Sequence, residues 1–173
     1  MCLDRILSIL KPKPSLVLPH PEESIDLTQT IDNVDVGKVL DKWIEIYQVP
    51  TKYRDYWKTK IDIRVDTGIS YPAGTWEADG IRHLVIRPEW LNPGVIAHEQ
   101  AHNSYALLTD SEKAIFSGIY TPLKTADPLI KLLYSKNQYG LSNDVEGHAE
   151  IYRYIGKQMP DSLKQFYPKL ILL

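Results

Sequence analysis

His98, Glu99 and His102 are the residues whose types and spacing most directly suggest chemistry. They lie within Val95-Ile96-Ala97-His98-Glu99-Gln100-Ala101-His102-Asn103-Ser104-Tyr105-Ala106-Leu107-Leu108, an apolar stretch interrupted by two imidazoles and a carboxylate. At helical pitch, residues four apart project from one side, so His98 and His102 can aim at a single ion while Glu99 reaches a water beside it. This is the H-E-x-x-H arrangement, in which neutral histidines bind zinc and the glutamate is the general base. One zinc ion per chain is therefore expected, with Glu99 as the catalytic residue.

Two histidines do not complete a catalytic zinc site, because three protein ligands leave the fourth position for water. The best source of the third is Asn143-Asp144-Val145-Glu146-Gly147-His148-Ala149-Glu150. Glu146 and Glu150 are four apart, so one carboxylate can ligate while the other orients an imidazole through its free N–H. Glu146 is the favoured ligand, and Asp110 and His148 are lesser candidates. The plain alternative is that Glu146, Glu150, Arg153 and Lys157 form a solvated, salt-bridged helix face.

A frame for these side chains can be read from periodicity. Val36, Val39, Leu40, Trp43, Ile44 and Tyr47 repeat at 3.6 residues and stop at Pro50, which predicts an amphipathic helix. A shorter helix is expected after Thr51, with Tyr53, Tyr56 and Trp57 facing inward. Then Ile61, Ile63 and Val65 alternate with Asp62, Arg64 and Asp66, the pattern of a strand with one wet face. Asp79-Gly80 signals a two-residue hairpin between Thr75–Ala78 and Ile81–Arg87. The expected sheet is small and antiparallel, with His83 on its last strand as a cross-strand or surface residue.

Asn92-Pro93 offers a cap and a proline at the first helical position, so the helix bearing His98 should start there. Thr109-Asp110-Ser111-Glu112 has capping-box spacing and opens the next helix. Another runs from Pro128 and closes near Gly140. Asn143 or Asp144 caps the helix that carries Glu146, and Pro160-Asp161 starts a last short one. Helices, a small sheet, then more helices make the fold class α+β.

The chain has 173 residues, 43% hydrophobic and 24% charged, enough for one domain to bury a core without staples. Residues 1–30 read as an arm: Leu3, Ile6, Leu7, Ile9 and Leu10 in a brief amphipathic piece, then Lys11-Pro12-Lys13-Pro14 and His20-Pro21. Prolines favour exposed, extended backbone, so the arm should make few buried contacts, and His20 should be idle. Residues 31–173 form the domain. A net charge of −2 and a pI near 6.2 give no electrostatic footprint for nucleic acid. Cys2 alone rules out a disulfide framework. No signal peptide is evident and no run approaches the ~20 apolar residues of a membrane span, so no membrane partner and a cytoplasmic location are expected.

The order of a hairpin with Gly80-Ile81-Arg82-His83-Leu84-Val85-Ile86, then Ile96-Ala97-His98-Glu99-Gln100-Ala101-His102, then Glu146-Gly147-His148-Ala149-Glu150, resembles the gluzincin metallopeptidases. It is most similar to the minimal zincins of the ImmA/IrrE type, and Gln158-Met159-Pro160 resembles the Leu-Met-Pro that closes the corresponding helix there, with glutamine in place of leucine. The metzincin pattern is not met, since Tyr105 and Leu108 stand where its glycine and third histidine belong. The resemblance implies a minimal zincin-like domain: a small antiparallel sheet, an active-site helix and further C-terminal helices. It implies His98, His102 and Glu146 as zinc ligands, Glu99 as base and Glu150 in the place that supports a ligating histidine.

The expected function is zinc-dependent endopeptidase activity on a peptide or protein substrate. The alternative is a zincin-fold binding or regulatory module without turnover. His148 could face the cleft as an oxyanion donor, a job open also to Tyr120, Tyr134 or Tyr139. The strand Leu84–Arg87 could pair with an extended substrate, and residues 109–142 would wall the cleft.

Overall fold

Asn92 starts the helix on which the other elements pack. In the computed structural model, which describes residues 16–19, 36–50 and 61–167, its side-chain oxygen accepts from the Val95 N–H at 2.9 Å, and Pro93 fills the first helical position. The resulting helix α2 (Pro93–Ala106) follows helix α1 (Val36–Ile46) and strands β1 (Ile61–Val65), β2 (Ala73–Ala78) and β3 (Ile81–Ile86). Helices α3 (Asp110–Ala126), α4 (Pro128–Lys136), α5 (Asp144–Ile155) and α6 (Asp161–Lys164) follow it. The architecture is α+β, with six helices and a three-stranded sheet among the described residues. None of these helices is long and apolar enough to cross a membrane. The expected helix after Thr51, the Leu3–Leu10 piece, Cys2, His20 and the apolar end from Leu170 fall outside the described residues.

The sheet is mixed, not antiparallel. Its order is β1-β3-β2: β1 runs parallel to β3, with Ile63 opposite Leu84, and β2 runs antiparallel to it, with Thr75 opposite Leu84. The reason lies in burial. Leu84, Val85 and Ile86 are the most apolar run of the three strands and are all buried, so β3 takes the centre, with the more polar β1 and β2 on either side. With both sides of β3 paired, the strand Leu84–Arg87 has no edge left for a substrate. The turn between β2 and β3 has Asp79 at φ 53° and Gly80 at φ 70°, the left-handed pair that the Asp-Gly signal implied.

Helix α2 is covered on nearly all sides: every residue from Val95 to Ala101 is buried, against α5, α1 and β2. Trp43, Ile44, Leu84, Ile96, Ile151 and Tyr152 belong to the same core. Caps fix the later helices. Thr109 and Glu112 form the reciprocal capping box, Asp127 accepts from the Leu129 and Ile130 N–H groups, and Asn143 accepts from the Glu146 N–H at 2.9 Å. Helix α4 ends at Lys136, before the expected stop near Gly140, which lies in a 3-10 turn (Tyr139–Leu141). A Cβ at Gly140 would come within 2.8 Å of the Tyr134 ring and 3.1 Å of Glu150, so close packing against α5 demands glycine there.

Candidate metal centre

Helices α2 and α5 face each other, and their facing turns carry the polar residues. His98 and His102 share one side of α2, and their Nε2 atoms lie 2.9 Å apart. From α5, Oε2 of Glu146 lies 3.3 Å from the His98 Nε2 and 3.6 Å from the His102 Nε2. These three donors form the one such group among the described residues that could hold a metal ion. Ligand atoms about 2.0–2.1 Å from a tetrahedral zinc ion stand about 3.3 Å apart, and the three observed separations straddle that value. The residues fit the ion.

Electrostatics point the same way. Burial opposes charge on His98, but its contacts with Glu146 and Glu150 outweigh that and push it up to about 9. Burial and the neighbouring His98 push His102 down to about 4. Burial works to raise Glu146, yet the two histidines overrule it and hold the carboxyl below its usual range. Glu146 and Glu150 thus hold a proton on His98, and a metal ion bound there would take that proton's place.

Glu150 sits on the far nitrogen of the same ring: its Oε1 is 2.7 Å from the His98 Nδ1. It is 1% exposed, so the solvated-face alternative does not describe it. Asn137, just past α4, donates from Nδ2 to the Glu150 Oε2 at 2.6 Å, and Arg153 approaches Oε1 at 3.5 Å. The Asn137 side-chain oxygen also accepts from the Tyr139 N–H at 3.0 Å, tying the turn that bears Tyr139 to the carboxylate behind His98. Nothing in the sequence pattern singled out Asn137; its partner is thirteen positions away.

Glu99 is buried beside the histidines at the wall of a cavity of about 610 Å³, shared with His98, Glu150 and Tyr139. Burial pushes its carboxyl up to about 7, with His98 opposing and Glu146 adding to the rise. A base poised near neutrality is what proton transfer at that pH requires.

The remaining candidates separate cleanly. The His148 ring is fully buried in the core, stacked on Tyr167 at 3.9 Å and edge-on to Tyr105 and Phe116, with its Nε2 3.2 Å from the Phe166 carbonyl. It does not face the cleft, so neither the oxyanion nor the ligand role fits it. Burial pushes it down to about 3. Residues two apart on a helix diverge by about 200°, which sends His148 away from Glu146 and Glu150. Asp110 is exposed at the start of α3 beside Lys113, away from the donors.

The Tyr120 and Tyr134 hydroxyls bond each other, and Tyr120 also donates to the Gly140 carbonyl at 3.1 Å; both are buried supports of the turn. They crowd α5 so closely that a Cβ on Gly147 would collide with the Tyr120 hydroxyl. Tyr139 alone of the three lines the cavity, its ring 6.2 Å from that of His98 and its hydroxyl within reach of Glu146. Of residues 109–142, Leu133, Lys136, Asn137 and Tyr139 wall the cleft. His83 lies elsewhere, paired with Asp62 at 3.0 Å and stacked on Trp76. The chain matches no known family, curated protein or solved structure.

Proposed function

We propose that the chain is a zinc-dependent metallopeptidase on a minimal zincin-like frame, with His98, His102 and Glu146 as ligands and Glu99 as general base. One observation carries this reading: three donors from facing turns of α2 and α5 converge at zinc-ligand spacing, with a buried carboxylate beside them on the wall of an open cleft. A zinc ion held there would supply an activated water and polarise a carbonyl. Glu99 accepts the water's proton and hands it to the leaving amine, so the product departs neutral. Glu150 engages the His98 Nδ1 and so turns its Nε2 towards the centre. Tyr139 is the side chain placed to donate to an oxygen that gains charge.

The substrate track moves from β3 to β2. Among the described residues no strand pairs with the outer side of β2, and its first residue, Ala73, lines the cleft. That edge offers main-chain groups to an extended peptide. A binding module has no need of a base beside the ligands, which favours turnover. Metal analysis tests the ligand set: wild type should retain one zinc per chain after dialysis against a weak chelator. Folded His98→Ala and His102→Ala variants that retain it would remove the basis of the reading.

A further inference from the structure

Leu16 to Pro19 belong to no helix or strand, yet one of them is anchored in the body. Leu18 is 6% exposed and part of the core, while Leu16 and Val17 are 50% and 61% exposed. Of the stretch expected to form an arm, these four residues are described, and Leu18 is the buried one among them. Where the anchor lies matters more. Val17 and Leu18 form part of the wall of the cavity that holds His98 and Glu99. Facing that cavity from the other elements are Trp90, Val95, Leu133, Tyr139 and Tyr154. Trp90 and Tyr139 also leave 41% and 57% of their surface in water at its rim. Large apolar side chains left wet around a cleft mark a place where an apolar ligand lies.

We propose that the apolar side of this cleft binds a branched aliphatic side chain of a peptide, and that Leu18 is the chain's own occupant of that track. The proposal rests on the peptide-hydrolysing reading and names its substrate class: stretches with bulky aliphatic residues. On that apolar side an acidic side chain is disfavoured, because it would lose its water against aromatic and aliphatic walls, while Lys136 and Arg153, the latter beside Glu150, line the same cavity at its polar side. The strap also regulates access. A tethered segment competes at an effective concentration of about a millimolar, so a free peptide at micromolar concentration displaces it poorly.

The test uses the full chain in a Glu99→Gln background, so that bound peptide is not consumed. The probe is a fluorescein-labelled Ser-Leu-Val-Leu-Pro-His, and the control replaces its second leucine with aspartate; binding is read by anisotropy. Leu18→Asp should bind the aliphatic peptide at least about tenfold more tightly than the unaltered strap, as expected when the competent fraction rises from a tenth or less towards one. The aspartate peptide should bind at least about tenfold more weakly than the aliphatic one. Val17→Asp alters an exposed residue and should give the same direction of change if Leu18→Asp loses cooperative unfolding. Unchanged affinity in cooperatively folded variants, or equal binding of both peptides, overturns the proposal. Tighter binding without cleavage by the Glu99-bearing counterparts would keep this track and retire the peptidase reading instead.

Discussion

On the cleft side of the α2–α5 pair a buried histidine, His98, lies between two carboxylates; on the core side a buried histidine, His148, lies among aromatic rings. Burial pulls both towards neutrality. It wins at His148, pushed down to about 3, and loses at His98, held up at about 9 by Glu146 and Glu150. What separates a candidate ligand from a core residue is the partner, not the depth. Glu146 and Glu150 on one side of α5, and apolar rings around the other, give one helix two kinds of chemistry.

The sharpest way to break this contrast is to remove the carboxylate that faces both His98 and His102. Glu146→Ala takes one of three donors from the group and should weaken zinc binding by more than about 100-fold, beyond what a supporting residue costs. Competitive chelator titration checks it, and an unchanged affinity would place the third ligand elsewhere.

Changes behind His98 should be smaller and graded. Glu150→Ala removes the group on Nδ1 and should lower zinc affinity by ~10 to 100-fold while zinc still binds at saturation. Asn137→Ala takes one donor from Glu150 and frees the Tyr139 turn, and should cost about tenfold or less. The same titration ranks the three; an Asn137 effect equal to that of Glu146 would reverse the order of support.

On the core side the effects should fall on stability and leave the metal alone. His148→Ala empties a site packed by Tyr105, Phe116 and Tyr167 and should cost about 3 kcal/mol in chemical denaturation, with zinc affinity unchanged. His148 also gives stability a pH dependence. Its folded value, near 3, lies below the unfolded value near 6.5, so the unfolded chain binds more protons between them. Its contribution is complete above about pH 6.5 and declines as pH falls towards 3, by at most about 1.4 kcal/mol per unit. His148→Gln should lose that part of the slope, measured as the difference from wild type across this window.

Caps and periodicity made the helices legible: Asn92-Pro93, the Thr109 box and Asn143 are local signals, and local chemistry set those boundaries. The spacing of His98, Glu99 and His102 likewise needs only one helix. Pairing direction in the sheet was not legible, because alternation reports a wet face and says nothing about which neighbour a strand takes. The direction of His148 was available: at two positions from both glutamates it had to point away from them. Asn137 carried no signal, since its role depends on a contact between the end of α4 and α5. Leu18 was hidden by its proline-rich surroundings, which obscure a single anchoring side chain.

The central claim is that this cleft hydrolyses peptides with Glu99 as base, and a peptide-library digest followed by mass spectrometry tests it most directly. Zinc-loaded wild type should generate new termini, with cleavage abolished by chelation and reduced ~100-fold or more in a Glu99→Gln variant that keeps its zinc and fold. Equal cleavage by that variant, or no cleavage by zinc-loaded wild type, would contradict the account.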